Sequence, residues 1–572
     1  MRREFTGLGA SRGTALGHAR VRLPHVLDVV EEHISPEAVS SELERLHAAI
    51  ASVRDDIHLL RDRLHGALAH EVGEFLDLHT LLLDDPELLQ GLDDLIRAGR
   101  FTADYALRLQ RDRIAAVFQT MDDAYFRSRV DDIDQVVGRI HAALHRRDPD
   151  LHGVAGEILV TDNVAPAELA QLQAQGVLAI VTSAGSTLSH TAILARSLHM
   201  PLVVGATHVL QRVNDGDVLV VDGTDGHIVL DPGSSDLRAY QARAREYARE
   251  RKQLNRLRRE PSRTLDGVDI KLYANAESRA DVADAHALGA AGVGLYRTEF
   301  LFMGRRELPT EEDQFRAYRD VVLGMTGRMV TLRTLDLGAD KADGSGLALK
   351  GEPNPALGLR GVRLSLSRPA LLDTQLRAML RASGYGALRI LLPMICCREE
   401  ILAVRTRVDL MTRQLRDEGW QVADRIPLGA MIEVPAAALA LPTFIGDIDF
   451  LSIGTNDLVQ YLLAADRNNE ALGEIYSPLH PAVVRLLRDV IRTARVHNKP
   501  VAVCGEIAGD THFVALLLAL GLEEFSLHPA TLLEVRRAIR GYDLASLRAK
   551  CPRLMRARSR AEIERWVSRC RE

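Results

Sequence analysis

The apolar positions of the chain follow different periods in different stretches. Residues 17–23, GHARVRL, alternate small or apolar side chains with polar ones, which predicts a strand. A cap, a first-turn proline and a first-turn acid follow at Ser35, Pro36 and Glu37. After them Leu43, Leu46, Ile50, Val53, Ile57, Leu60 and Leu64 recur every three or four residues. That spacing predicts a long amphipathic helix with a seam like that of a coiled coil. Helical patterning continues through EFLDLHTLLLDDPELL to about His145, so residues 24–145 are expected to form a helical hairpin or bundle. Its leucine stripe reads first as core packing, with exposed positions near its ends available to dock a partner.

From about residue 153 to 230 the pattern turns to short strands and helices. GEILVTD, VLAIV and PLVVGA are followed by DVLVVDGTDGHIVLDP, a hairpin around its DGTDG turn. Residues 1–23 and 146–232 are therefore expected to make one α/β domain, with the helical stretch inserted into it. Residues 233–261 are dense in charge, with Leu237, Tyr240, Ala244, Tyr247, Leu254 and Leu257 at near-helical spacing. They predict a linker helix whose arginines are a solvated face. Beyond residue 262 eight apolar runs alternate with helical patterns: IKLYANAE, GVGLYRTE, MVTLRTLD, LRILLPMI, LGAMIEVP, DFLSIGTND, VAVCGE and EFSLHP. The expectation for 262–572 is a (β/α)8 barrel of the TIM type, making the whole chain an α/β multidomain protein.

Composition narrows the class. At 572 residues with 47% hydrophobic and 26% charged side chains, the chain is expected to be soluble and to hold three or four domains. A formal net charge of -6 argues against nucleic acid as a bulk partner. No apolar run is long enough to span a bilayer, and the start MRREFTGLGASRG lacks the apolar core of a signal peptide. A cytoplasmic location is the expectation. Five cysteines, odd in number and outside paired C-x-x-C knuckles, suggest neither a disulfide framework nor a structural zinc site.

Candidate chemistry sits in two places. In GSTLSHTAILAR, His190 follows an apolar run and small residues and precedes helix formers, which reads as strand, turn, helix. A helix start carries unpaired N–H groups and partial positive charge. It disfavours imidazolium, so His190 there is a candidate neutral nucleophile whose phosphoryl group would be cradled. The alternative is a surface histidine beside a helix capped by Ser189 or Thr191. In the barrel, Asn275, Arg297, Arg333 with Asp336, Glu433, Asn456 with Asp457, and Cys504 all fall where strands end, and those ends meet at one mouth. Arg297 and Arg333 are permanently charged forks for phosphate or carboxylate, and Arg360, Arg363 and Arg467 can join them. Glu433 and Asp457 are hard oxygen donors suited to Mg²⁺, although singly each also suits a salt bridge. Cys504 is either a buried filler or, at a catalytic mouth, a proton donor. No glycine-rich loop of the kind that cradles ATP precedes any helix.

In ordered motifs over essentially its full length, the sequence resembles enzyme I of the phosphoenolpyruvate-dependent sugar phosphotransferase system. The matching text is GLGASRGTALG, HTLLLDDPEL, SHTAILARSLHMPLVVG, GVGLYRTEF, RTLDLGADK, EPNPALGLRGVR, AMIEVPAA, LSIGTNDLVQYLLAADRNN and CGEIAGD. The resemblance implies that His190 takes the phosphoryl group of phosphoenolpyruvate and passes it to a histidine of a small phosphocarrier protein docked on the helical segment. It implies that Arg297, Arg333, Asn456, Asp457 and Arg467 lie at the substrate, that Glu433 and Asp457 hold Mg²⁺, and that Cys504 protonates the enolate as pyruvate forms. Lys341, Arg360 and Arg363 are implied as further members of the phosphate site, and the barrel as the surface of a homodimer. Two departures stand out. Leu188 occupies the place before the Ser-His pair where the family usually has threonine, and His528-Pro529 follow the last strand where many relatives have small residues. Pyruvate phosphate dikinase and phosphoenolpyruvate synthase share these modules but need an ATP-binding domain. A phosphoenolpyruvate sensor without turnover would not need His190, Glu433, Asp457 and Cys504 intact.

Overall fold

Alternation of side chains along a strand decides how both sheets of this protein are buried. In the computed structural model, which describes residues 2–22, 31–63, 79–80, 82–119, 124–145, 155–164, 166–185, 190–198, 200–303, 307–338, 354–467, 472 and 474–571, the chain divides into two compact units, Met1–Glu250 and Arg251–Glu572. The helix Ser234–Arg256 runs across that division.

The first unit is built on one eight-stranded sheet. Its strands are β1 (Arg3–Thr6), β2 (Leu8–Ser11), β3 (Thr14–Arg22), β4 (Glu157–Thr161), β5 (Ala179–Thr182), β6 (Leu202–Val204), β7 (Val218–Asp222) and β8 (His227–Leu230). They lie in the order β1-β8-β7-β3-β4-β5-β6-β2. Strands β3 to β6 are parallel to one another, and every other pairing in the sheet, from β3 to β7 and from β6 to β2 outward, is antiparallel. Ile158 and Val160, Ala179 and Val181, and Val203 point to one core, whereas Leu159, Ile180, Leu202 and Val204 point to the other. Sheets with both faces covered need such double burial.

The chain leaves the sheet after β3 and returns on its parallel neighbour β4. Between them lie the helices Val39–Arg63, Pro86–Arg97, Ala103–Gln119 and Ala124–Leu144. Leu43, Leu46, Ile50, Val53 and Ile57 of the predicted seam are all buried, in the same core cluster as Leu159 and Ile180 of the sheet. Of the seam's last two positions, Leu64 lies outside the described residues. The strand expected at 17–23 begins earlier, at Thr14, and two short strands precede it. Those two, REFT and LGAS, are four residues each, the first largely exposed and the second exposed in its first half and buried in its second, so neither carries an alternation to read. The DGTDG turn is held by Asp222, whose Oδ1 accepts from the Thr224 and Asp225 amides at 2.9 and 3.2 Å. Gly226 there has φ +74°, and a Cβ would meet the Gly7 carbonyl oxygen at 2.3 Å, which leaves glycine alone at that position.

The second unit is a closed, all-parallel barrel. Its strands are β9 (Lys271–Ala276), β10 (Gly292–Tyr296), β11 (Met329–Arg333), β12 (Leu388–Leu392), β13 (Leu428–Ile432), β14 (Phe450–Ile453), β15 (Val501–Val503) and β16 (Glu524–Leu527), with β16 pairing back to β9. These are the eight runs marked in the sequence. Leu272, Ala274, Val330, Leu332, Ile390, Leu392, Ala430 and Ile432 join the large core shared with the surrounding helices. The alternate positions fill the barrel in layers. Lowest is Arg389, whose guanidinium lies 4.1 Å from the Phe450 ring centre and 5.5 Å from that of Tyr273, and which donates to Thr331 at 2.7 Å. An apolar plug of Leu295, Leu391, Met431, Phe450 and Cys504 comes next. The same alternation carries the strands from Thr331 to Arg333, from Met431 to Glu433 and from Tyr273 to Asn275 at the carboxyl ends.

Candidate active site

At the carboxyl ends of the barrel strands the interior changes from apolar to ionic. Arg333, the last residue of β11, is buried. It pairs with Glu299, lies 3.1 Å from Asp336 and points a third contact at the Met431 sulfur, 3.7 Å away. Arg360, also buried, reaches Asp336 at 3.1 Å, donates to the Tyr461 hydroxyl at 3.2 Å and stands 3.6 Å from Asp457. Burial by itself would lower both guanidinium pKa values. The carboxylates outweigh it and raise them, Glu299, Asp336 and Glu433 acting on Arg333, and Asp336, Asp457 and Glu433 on Arg360.

Glu433 follows β13 and is 1% exposed, with Oε1 accepting from the Met394 amide at 2.7 Å. Burial, aided by Asp336 and Asp457, pushes its carboxyl up to about 8 against the pull of Arg333. Two backbone features make room for it. Met394 adopts φ +56°, a conformation rare outside glycine, and Gly454 passes so close that a Cβ would meet Glu433 Oε2 at 2.6 Å.

Asn456 and Asp457 sit in the first turn of the helix Thr455–Leu463, one residue beyond the end of β14 plus Gly454. Asn456 exchanges two bonds with Glu506, its Nδ2 donating at 2.8 Å and its Oδ1 accepting from the Glu506 amide at 3.0 Å. Gly505 allows this approach, since a Cβ there would fall 1.9 Å from Thr455 Oγ1. Cys504 is buried just past β15, its thiol facing the Ile453 carbonyl at 3.5 Å, and burial pushes it up to about 11. Asn275 ties the wall together, donating to the Cys504 carbonyl at 3.1 Å and accepting from Ser526 at 2.6 Å.

The remaining predicted residues spread outward. Arg297 is partly exposed and paired with Glu277 at 2.5 Å. Arg467 is exposed, its amide donating to Gln460 at 3.2 Å. Arg363 donates to the Cys396 sulfur at 2.8 Å. Lys341 lies outside the described residues. His528 serves its own turn, accepting from the Ala530 amide at 3.3 Å. Glu299 and Met394 were not singled out from sequence. Glu299 is two residues past Arg297 in a motif already marked, whereas a positive φ at methionine leaves no trace in the residue type.

The network carries more carboxylates than guanidinium groups. Around the two buried guanidinium groups stand four carboxylates, Glu299, Asp336, Glu433 and Asp457. Among the described residues Glu299 Oε2 is buried without a hydrogen-bond partner. An excess of carboxylate over guanidinium, with burial and neighbouring carboxylates pushing the Glu433 carboxyl up, is a donor set that fits Mg²⁺.

In the first unit, His190 opens the helix His190–Ser197. Thr191 donates its hydroxyl to the Val164 carbonyl at 3.0 Å, so it braces the helix on the sheet side. Ser11 Oγ donates to the Ala195 carbonyl at 3.1 Å, and Ala192, Leu194 and Ala195 are buried. Leu188 and Ser189 lie outside the described residues.

Comparison with known proteins shows the family. Residues 251–544 match the family described as PEP-utilising enzyme, PEP-binding domain; residues 6–129 match its N-terminal part and 153–226 its mobile domain. A phosphoenolpyruvate-protein phosphotransferase of Cupriavidus necator is 44% identical over 561 residues, 96% of this chain and 94% of that protein. The chain belongs to the phosphoenolpyruvate-protein phosphotransferases. Proteins of the same name from Staphylococcus epidermidis and Priestia megaterium are 38% and 37% identical, the former over 95% of each chain and the latter over 99% of each. As a member of this family the chain is an enzyme of the transferase class. Among the described residues no helix is long and apolar enough to cross a membrane.

Proposed function

We propose that this enzyme moves the phosphoryl group of phosphoenolpyruvate onto its own His190 and then onto a histidine of a small phosphocarrier protein, releasing pyruvate, as the first general step of sugar phosphotransfer in the cytoplasm. The observation that carries the reading is the buried network at the barrel mouth, where Arg333 and Arg360 are held rigidly among Glu299, Asp336, Glu433 and Asp457. Phosphoryl transfer needs positioning and charge neutralisation more than covalent assistance, and preformed guanidinium groups supply both.

In this mechanism Arg297, Arg333 and Arg467 hold the charged groups of the substrate, with Asn456 fixing its orientation from the helix start beside Glu506. Arg360 and Arg363, with Lys341, complete the phosphate side. Glu433 and Asp457 would hold Mg²⁺, which supplies Lewis-acid polarisation of the phosphoryl oxygens. Cys504, kept as a thiol by burial, is suited to deliver its proton to the enolate carbon as pyruvate forms. His190, at a helix start, offers a neutral ring nitrogen as the nucleophile, and the helix N–H groups favour the phosphoryl group it acquires.

Donor site and acceptor histidine belong to different units, so the α/β domain (1–23 and 146–232) must visit the barrel domain (262–572) and leave it for the carrier. We assign residues 233–261 as the linker for that swivel, 24–145 as the docking subdomain for the carrier, and the barrel as the homodimer surface. The test is a single turnover of the purified chain with phosphoenolpyruvate and Mg²⁺, followed on wild type and His190→Ala. Release of about one pyruvate per site, with acid-labile phosphate on wild type alone, is the expected result. Binding of phosphoenolpyruvate without pyruvate release would replace the transferase mechanism with a sensor.

A further inference from the structure

Three ligand-type side chains meet in the helical part of the first unit. His141 and His145 are four residues apart, one turn on the same helical face, and their ring centres are 4.7 Å apart. Facing them from the first turn of the helix Ala103–Gln119 is Asp104, whose Oδ1 lies 2.9 Å from His145 Nε2 and 3.5 Å from His141 Nε2. All three donor atoms fall within 4.8 Å of one another. Donors on a tetrahedral Zn²⁺ with bonds of about 2.0–2.1 Å stand about 3.3 Å apart, so the two histidine–carboxylate spacings bracket the edge of such a tetrahedron.

The surroundings favour a cation there. The other oxygen of Asp104 accepts from Arg45 at 3.0 Å, which orients the carboxylate in the way an outer-shell partner orients a metal ligand. Arg45 in turn is paired with Glu42 at 2.7 Å, and Glu42 also accepts from the Ala103 amide at 2.7 Å. With neutral imidazoles, Glu42, Asp104 and Arg45 sum to one negative charge. The Asp104 and His141 side chains are 14% and 20% exposed and His145 39%, so a fourth position opens to water.

We propose that Asp104, His141 and His145 form a Zn²⁺-type transition-metal site, separate from the carboxylates of the barrel. An ion bound there clips the end of the helix Ala124–Leu144 to the start of the helix Ala103–Gln119, and through Arg45 to the helix Val39–Arg63. The mixed nitrogen and oxygen donor set selects a borderline ion over Mg²⁺, which prefers oxygen alone.

The experiment is a Zn²⁺ titration of the metal-stripped full chain in excess Mg²⁺, set beside the double variant His141→Gln/His145→Gln. Wild type is expected to take up one tight equivalent more than the variant. Co²⁺ in its place is expected to give tetrahedral visible bands without sulfur charge transfer. Arg45→Gln is expected to weaken Zn²⁺ by about 10- to 100-fold while keeping the stoichiometry. Equal uptake by wild type and double variant, or Co²⁺ bands with thiolate charge transfer that the substitutions leave untouched, would overturn the site. Metal-free unfolding checks that the double variant is folded; should it not be, Asp104→Asn takes its place under the same criteria.

Discussion

Strands β4 and β5 of the first unit and β11 and β13 of the barrel are equally buried, yet they end differently. β4 and β5 close on Thr161 and Thr182, buried hydroxyls that donate to carbonyls two residues ahead, at 3.4 and 2.6 Å. β11 and β13 lead into Arg333 and Glu433, ions buried to 7% and 1% exposure. A hydroxyl meets its needs locally and at small cost. An ion taken out of water costs several kcal/mol unless partners surround it, so a cluster of buried ions at the strand ends is a candidate site where a single buried hydroxyl is not.

The sharpest way to break this contrast is Arg333→Leu. It strands Glu299 and leaves Asp336 with Arg360 alone, and a loss of about 3–5 kcal/mol in barrel stability is expected. Both tryptophans, Trp420 and Trp566, lie in the barrel unit, so tryptophan fluorescence in urea reads that unit alone. A loss below about 1 kcal/mol would mean that the network does not offset the burial of its members. Glu433→Gln separates the two roles next. The amide keeps the shape of a group already buried among other carboxylates, so the urea midpoint is expected to hold while single-turnover pyruvate release falls at least about 100-fold.

Cys504 tests burial with a titration. Its thiol, pushed up to about 11, stays protonated in the folded chain over a range where an unfolded thiol ionises. It leaves stability unchanged below the ordinary thiol range, and stability falls as pH rises from there to about 11. Urea midpoints of wild type should therefore drop relative to Cys504→Ala across that window; parallel curves would show an ordinary thiol. The smallest effect belongs to the first unit. Thr182→Val removes one local hydrogen bond and should cost about 0.5–1.5 kcal/mol, read by hydrogen exchange at the β5 amides.

Much of the architecture was legible because it rests on period. Alternating and near-helical runs mark the same eight barrel strands and the seam from Leu43 to Ile57 that the structure buries, since what must face a core must be apolar at the spacing of its element. β1 and β2 escaped because edge strands of four residues, with no alternating burial, are too short to leave a pattern. The strand-end residues were legible as a set by the logic of a barrel mouth, but their partners were not. Arg363 turning to Cys396 and Asn456 binding Glu506 are choices made by neighbours distant in sequence.

The sequence by itself determined which residues alternate, where helices begin, and which side chains carry charge into positions that strands must bury. Only the tertiary structure decided which of those charges meet. Glu299 beside Arg333, Asp336 between two guanidinium groups, and Asp104 opposite His141 and His145 are contacts between elements. The physical reason is range: periodicity is a property of one element and its nearest turn, whereas a buried charge is stabilised by whichever partners the closed barrel or the packed helices bring within a few ångströms.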